Sequence, residues 1–162
     1  MSNHSAVLSV LRTDARTSVA DIARQTDLDE TTVERVLEEL ETEGAVRGYR
    51  AVVDWDHFDE ERVRAAVELN VTLDRETSYD DIARRVAKFP AVQSLHLVSG
   101  EFDFLMKVEG DSMSEVSSFI SEKVAPVPEI TQTVTHYVMD TYKEQGIDFD
   151  GLDDDDRLSV SP

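Results

Sequence analysis

The 162-residue chain contains no cysteine, which removes disulfides, thiol nucleophiles and thiolate metal ligands together. Histidine is scarce: the four, at positions 4, 57, 96 and 136, lie too far apart in sequence to form a local metal motif, so no metal site is expected. No run approaches the roughly 18–20 apolar residues that span a bilayer. The opening MSNHSAVLSV has no basic stretch ahead of an apolar one, so neither a signal peptide nor a membrane partner is expected. The expectation is a cytoplasmic protein. No nucleophile–base pair and no Gly-rich phosphate loop appears, so neither an enzyme nor a cofactor is expected. Cations are also few. Lys+Arg number 16, only four of them Lys, against 35 Asp+Glu, giving a net charge of −19. Such a balance argues against nucleic acid, whose phosphates need a basic footprint. It equally fits a surface built for very high salt, where the Debye length falls to roughly 3 Å at 1 M and long-range repulsion fades. Composition leaves both readings open.

What is present is a two-part pattern. Residues 1–53 read as three helices and a strand. The first helix covers about Ser5–Thr13. The second opens at Ser18-Val-Ala-Asp21, a cap signal, and buries Val19, Ile22 and Ala23. The third follows Asp29, an N-cap, and runs to about Glu43 with Val33, Val36, Leu37 and Leu40 on one face. Gly44 stops it, and Val46–Val53 is strand-like. Two helices joined by a short turn and followed by a strand outline a winged helix-turn-helix. Residues 54–61 read as a linker. Residues 62–143 then alternate strand and helix in the order β-α-β-β-α-β, a ferredoxin-like domain, so the fold class is α+β. Within it, Val92–Ser99 and Phe102–Glu109 read as a hairpin about a tight turn at Gly100. The helix after Ser112 should turn Met113, Val116, Phe119, Ile120 and Val124 inward, and the last strand should span Ile130–Tyr142. Residues 144–162, with Asp153–Asp156 in a row, read as an acidic tail too poor in apolar residues to fold.

Four strings, in order and at matching spacing, carry a resemblance. They are Asp14-Ala-Arg16-x-Ser18-x-x-Asp21-Ile-Ala-Arg24, Leu40-Glu-x-Glu43-Gly44-Ala-Val46-Arg47-Gly48-Tyr49, Val98-Ser-Gly100-Glu-Phe-Asp103-Phe-Leu-Met-Lys107-Val108 and Thr133-x-Thr135-x-x-Val138-Met139. Together they resemble the Lrp/AsnC family of leucine-responsive, or feast/famine, transcription regulators over about residues 6–143. Three departures stand out. Asp27 occupies the place of a turn glycine, Glu34 precedes a single Arg35 where the family has several basic residues, and the first helix lacks part of an acidic lead-in. The arginine-rich, lysine-poor, acidic composition points to a halophilic archaeon.

The resemblance implies a DNA-binding transcription regulator, active as a homodimer and in higher oligomers, with double-stranded DNA and an amino-acid effector as partners. Thr31, Thr32 and Arg35 would enter the major groove, where Thr meets a thymine methyl or a phosphate and Arg meets guanine through two bonds. Arg16, Arg24, Arg47 and Arg50 would clamp phosphates, or else pair with nearby acids. The turn Gly100-Glu101-Phe102-Asp103 offers backbone N–H groups to a small carboxylate, and Asp103 offers a partner to an α-ammonium group. The resemblance adds Thr133 and Thr135 as neighbours of that effector site. Two alternatives stay open. One is an effector-sensing partner of another regulator with little DNA binding of its own. The other is an enzyme like the siroheme decarboxylases, which share the layout, although His96 stands in Ser-Leu-His-Leu-Val rather than a His-Asn-Tyr context. Across residues 1–53 the excess of acid is only four, ten against six arginines, so the charge of −19 does not by itself veto DNA.

Overall fold

A computed structural model describes residues 1–149. The chain divides into two units, Met1–Ala51 and Val52 onward.

The first unit is three helices: α1 (Asn3–Thr13), α2 (Val19–Thr26) and α3 (Glu30–Thr42). Each starts where a short polar side chain satisfies a free backbone N–H. Ser2, Ser18 and Asp29 accept from the amides of Ser5, Asp21 and Thr32. The α1 start lies two residues before the predicted Ser5, because Ser2 supplies that cap. Val7, Ile22, Ala23, Val33, Val36 and Leu40 form one buried cluster that holds the three helices together. Helix α2 ends at Asp27, which adopts the left-handed conformation (φ 55°) and donates its N–H to the Ala23 carbonyl. Aspartate tolerates this geometry better than most residues, so the turn forms without glycine. Gly44 (φ 72°) ends α3 as expected. The strand expected over Val46–Val53 is not formed. Val46 N–H goes to the Leu40 carbonyl (2.9 Å), and no strand within this unit offers the stretch a ladder.

The second unit begins with a short 3₁₀ turn, Trp55–His57, inside the segment expected to be a plain linker. The order that follows is β1 (Val63–Val71), α4 (Tyr79–Val86), β2 (Val92–Leu97), β3 (Phe104–Gly110), α5 (Met113–Phe119) and β4 (Ile130–Tyr137). The strands form one sheet in the order β2-β3-β1-β4, with every neighbouring pair antiparallel. Alternation along β1 then fixes two faces. Ala65, Val67 and Leu69 point to the side covered by α4 and α5, where Ile82, Val86, Phe104, Met106, Val116 and Val124 complete the core. Ala66, Glu68 and Asn70 point to the opposite side. There they lie level with Leu105 and Lys107 of β3 and with Gln132, Val134 and His136 of β4.

Several expectations are corrected. Strands β2 and β3 are joined by the six residues 98–103, closed by Val98 N–H to the Asp103 carbonyl (2.9 Å), not by a tight turn at Gly100. Residues 120–124 widen into a π turn, with Ala125 N–H reaching the Ile120 carbonyl five residues back. Val116, Ile120 and Val124 are buried, whereas Met113 is 53% exposed. The last strand stops at Tyr137. The segment from Glu144 is not structureless throughout: β5 (Lys143–Glu144) and β6 (Ile147–Asp148) pair around Gln145 and Gly146, both at positive φ. The remainder of the expected tail, 150–162, lies outside the described residues.

The core side of β1 carries a stability prediction. Leu69→Ala should destabilise the protein by about 2–5 kcal/mol, since Leu69 is fully buried. His96→Ala, on an exposed position of β2, should stay within about 0.5 kcal/mol. Urea unfolding followed by circular dichroism reads both, and equal losses would contradict the assignment of faces.

Candidate functional site

Two groups of residues are candidates, one in each unit. In the first, Asp29 organises the start of α3. Its carboxylate accepts from the Thr32 amide (2.9 Å) and the Thr32 hydroxyl (2.7 Å). These bonds, the hydroxyl's foremost, hold the Asp29 carboxyl below the usual carboxylate range. Thr32 is therefore occupied as part of the cap, while Thr31 is exposed. Arg35 is exposed and pairs with Glu39 one turn on (2.6 Å). Arg24 is likewise held by Asp21 (2.5 Å), whose own carboxyl is lowered first by the Ser18 hydroxyl and then by Arg24. Exposed pairs of this kind are weak and exchange readily for another anion. Arg16 and Arg47 are exposed and have no carboxylate partner among the described residues. Arg50 is also exposed. Tyr49 ties the segment after α3 back to it through Glu41 (2.8 Å). Burial, with the Glu41 carboxylate beside it, raises the Tyr49 phenol above its ordinary value.

In the second unit the predicted effector residues separate. Asp103 is bonded at both oxygens: one accepts from Val71 N–H (2.9 Å) and the other from the Tyr79 hydroxyl (3.3 Å). The Asp103 charge in turn raises the Tyr79 phenol. Asp103 thus joins the end of β1, the start of α4 and the β2–β3 connection, and each of its oxygens keeps a further lone pair. Thr133 and Thr135 lie level with Leu69 and Val67, on the helix-covered side of β4. That side is opposite to the one on which Glu101 and Phe102 sit. Gly100, at φ 129°, is an exposed residue of the connection that carries them.

Glu101 and Phe102 do line a recess on the uncovered face, together with Glu68, Asn70, Gln132 and Val134, with a volume of about 140 Å³. Sequence reasoning missed these last four. Period-two alternation puts Glu68 and Asn70 on the polar side of β1, but only the pairing of β1 with β4 brings Gln132 and Val134 beside them. Glu68 is bonded to His136 (3.0 Å). On the same face Glu144 reaches Arg64 (3.7 Å) and Lys107 (4.0 Å), and Lys107 lies level with Ala66, one same-face position from Glu68. Among the described residues no three His, Asp or Glu side chains come together as a metal-binding group would require. No helix there is long and apolar enough to cross a membrane.

Two measurements follow from these bonds. Because the folded Asp29 and Asp21 titrate below their unfolded values, their contribution is complete above the unfolded carboxylate range and is lost as pH falls through the lowered values. Asp29→Asn keeps a capping oxygen without the charge, so its melting temperature should fall less steeply on acidification than that of the parent; superimposable acid curves would refute this. Asp103→Ala, leaving the Val71 amide unpaired, should cost about 2 kcal/mol. In Asp103→Asn, ultraviolet titration should show one tyrosine moving down toward its ordinary value, and an unchanged tyrosine profile would contradict the contact.

Comparison with known proteins joins the two units. Residues 2–47 match a family model described as winged helix-turn-helix DNA-binding, and residues 64–147 match the Lrp/AsnC ligand binding domain. An uncharacterised HTH-type transcriptional regulator of Bacillus subtilis, YugG, is 33% identical over 157 residues, 96% of this chain and 95% of its own. The leucine-responsive regulatory protein of Escherichia coli is 27% identical over 138 residues, 85% of this chain and 84% of its own. Among solved structures, a transcriptional regulator of Neisseria meningitidis in complex with L-Met superposes with a TM-score of 0.68 at 22% identity, covering 89% of this chain and 93% of that one.

Proposed function

The chain belongs to the Lrp/AsnC family and is a DNA-binding transcription regulator, not an enzyme; from that premise we propose how its residues divide the work. Helix α3 enters the major groove with Thr31 and Arg35, Thr32 holding the helix start through its cap. Arg16, Arg24, Arg47 and Arg50 neutralise phosphates on either side. The observation that carries this reading is the exposure of Arg16 and Arg47 in a unit where Arg24 and Arg35 sit in weak, exchangeable pairs. The uncovered sheet face, with Leu105, Ala66 and Val134 at its middle, pairs with that of a second copy. A two-fold dimer then presents two α3 helices to half-sites one or more helical turns apart. Such pairing also encloses the recess at Glu101 and Phe102, where an amino-acid effector sits, as the L-Met complex of the Neisseria regulator suggests by analogy. The cell interior in which this occurs is salt-rich, as in a halophilic archaeon, which reconciles a charge of −19 with DNA as partner. A second reading has its own support. Helix α3 exposes Glu30, Glu34 and Glu38 around Arg35, which suits a subunit that acts in a mixed oligomer with a more basic regulator.

Fluorescence anisotropy with the protein's own promoter DNA, from low salt to molar KCl, tests both. Arg47→Ala should weaken binding to all sequences alike and reduce the slope of log K against log salt by about one. Arg35→Ala should instead relax sequence preference, by about 1–3 kcal/mol at one base pair. Absence of promoter binding by the homo-oligomer at every salt concentration would overturn the first reading, and recovery of binding on adding a second regulator would establish the other.

A further inference from the structure

Arg35 is held differently from Arg24. Of the two carboxylates one turn further along α3, Glu38 and Glu39, it is Glu39 that takes the bond, its Oε1 accepting from Arg35 Nη1 (2.6 Å). The second oxygen of Glu39 meets Nε2 of His4, in the first turn of α1, at 2.9 Å. His4 is itself fixed: the Ser2 cap starts its helix, and Val7, one turn on, is buried in the cluster that holds the three helices together. The Arg35 hydrogen bond, and after it His4, holds the Glu39 carboxyl below its ordinary range. Asp21, which holds Arg24, is bonded on its other oxygen to Ser18 at the start of the same helix. The Arg24 pair therefore stays within one helix, whereas His4, Glu39 and Arg35 form a chain across two. We propose that Glu39, anchored to α1 by His4, is a positioning residue for base reading: it fixes the Arg35 guanidinium so that Nε and Nη2 present a defined edge to guanine.

This rests on the reading of Arg35 as the base-contacting residue and adds what orients it. An exposed ion pair exchanges readily for another anion, so a phosphate can draw Arg24 from Asp21. A guanine edge is different, because O6 and N7 are neutral acceptors and do not displace a carboxylate. Arg35 carries its N–H donors in a rigid fork and commits one of them to Glu39, while Nε and Nη2 have no partner among the described residues. Those two nitrogens share one edge of the guanidinium, and that edge matches the O6 and N7 pair. A long side chain held in place before DNA arrives loses less freedom on binding. Fixed in direction, it also disfavours a base pair whose acceptors lie elsewhere. Glu39 brings a negative charge toward the phosphates as well, which opposes binding to every sequence alike. The same carboxylate thus lowers affinity and raises specificity. Glu38, exposed on the same helix, supplies only the first effect.

The test is fluorescence anisotropy of the full chain at one salt concentration with three kinds of duplex: its own promoter, the promoter altered one base pair at a time, and an unrelated sequence. Arg35→Ala first locates the base pair that Arg35 reads. Glu39→Ala should then lower the preference at that pair by about three- to tenfold, the cost of ordering one long side chain, while binding the unrelated duplex more tightly. His4→Ala should lower the same preference with the charge of α3 unchanged. Glu38→Ala, which removes the same charge from the same helix, should tighten every duplex and leave the preference as it was. In the Arg35→Ala background, adding Glu39→Ala should cost no further preference. His4, Arg35 and Glu39 are all partly exposed, so none of these variants endangers the fold. A preference unchanged or sharpened in Glu39→Ala would overturn the proposal, since Glu39 would then only sequester Arg35; an equal loss in Glu38→Ala would overturn it too. No effect of Arg35→Ala at any base pair would remove the reading of Arg35 beneath it, and the proposal with it.

Discussion

The second unit depends on β1 being hydrogen-bonded along both edges. A strand paired with β3 on one side and β4 on the other cannot slip without breaking two ladders, so the alternation of its side chains becomes a fixed partition. Its odd-numbered residues make the core and its even-numbered ones make the uncovered face. The bulge between Asn70 and Val71 marks where that partition ends. There Asp103 takes over, bonding the Val71 amide and the Tyr79 hydroxyl so that the connection bearing Glu101 and Phe102 is seated beside β1. The recess exists because a core strand and a positioned loop meet at that corner.

The acidic character of the chain is used locally as well as globally. Asp29 caps α3, Asp21 completes the start of α2, and Asp81 forms a reciprocal box with Ser78 at the start of α4. Each of these carboxyls is pulled below its ordinary range by the hydrogen bonds it accepts, and each would be ionised at any physiological pH. Other carboxylates are committed to cations instead, as Glu39 is to Arg35 and Glu144 to Arg64 and Lys107, while Glu101 is exposed with no partner among the described residues.

Much of this was legible in the residues. The caps at Ser18, Asp29 and Ser78, the buried stripe of α3 and the alternation of β1 all follow from local rules, and the order of elements gave the fold. What could not be read was anything decided by pairing between distant segments. Thr133 and Thr135 are close in sequence to Gln132 and Val134, yet the β1–β4 register puts the two sets on opposite faces. Asp103 reads as a polar residue in a turn and proves to be engaged on both oxygens. Val46–Val53 has the composition of a strand, but composition cannot supply a neighbour to pair with. The hairpin at Lys143–Asp148 was hidden for the converse reason. Four short residues in two rungs carry too little apolar content to register, although Gln145-Gly146 is a fair turn signal.

The π turn at Ile120–Val124 sets how the end of this helix meets the sheet. An α-helix advances about 100° per residue, so positions four apart overshoot a full turn by roughly 40° and drift sideways across whatever they pack on. A wider turn undershoots instead. Running α-helix from Val116 to Ile120 and the wider turn from Ile120 to Val124 makes the two errors nearly cancel: Val124 returns to the direction of Val116, with Ile120 slightly to one side, and all three are buried. A spacing of four is thereby kept on the buried side across two successive turns, where an uninterrupted α-helix would carry Val124 about 80° away from Val116.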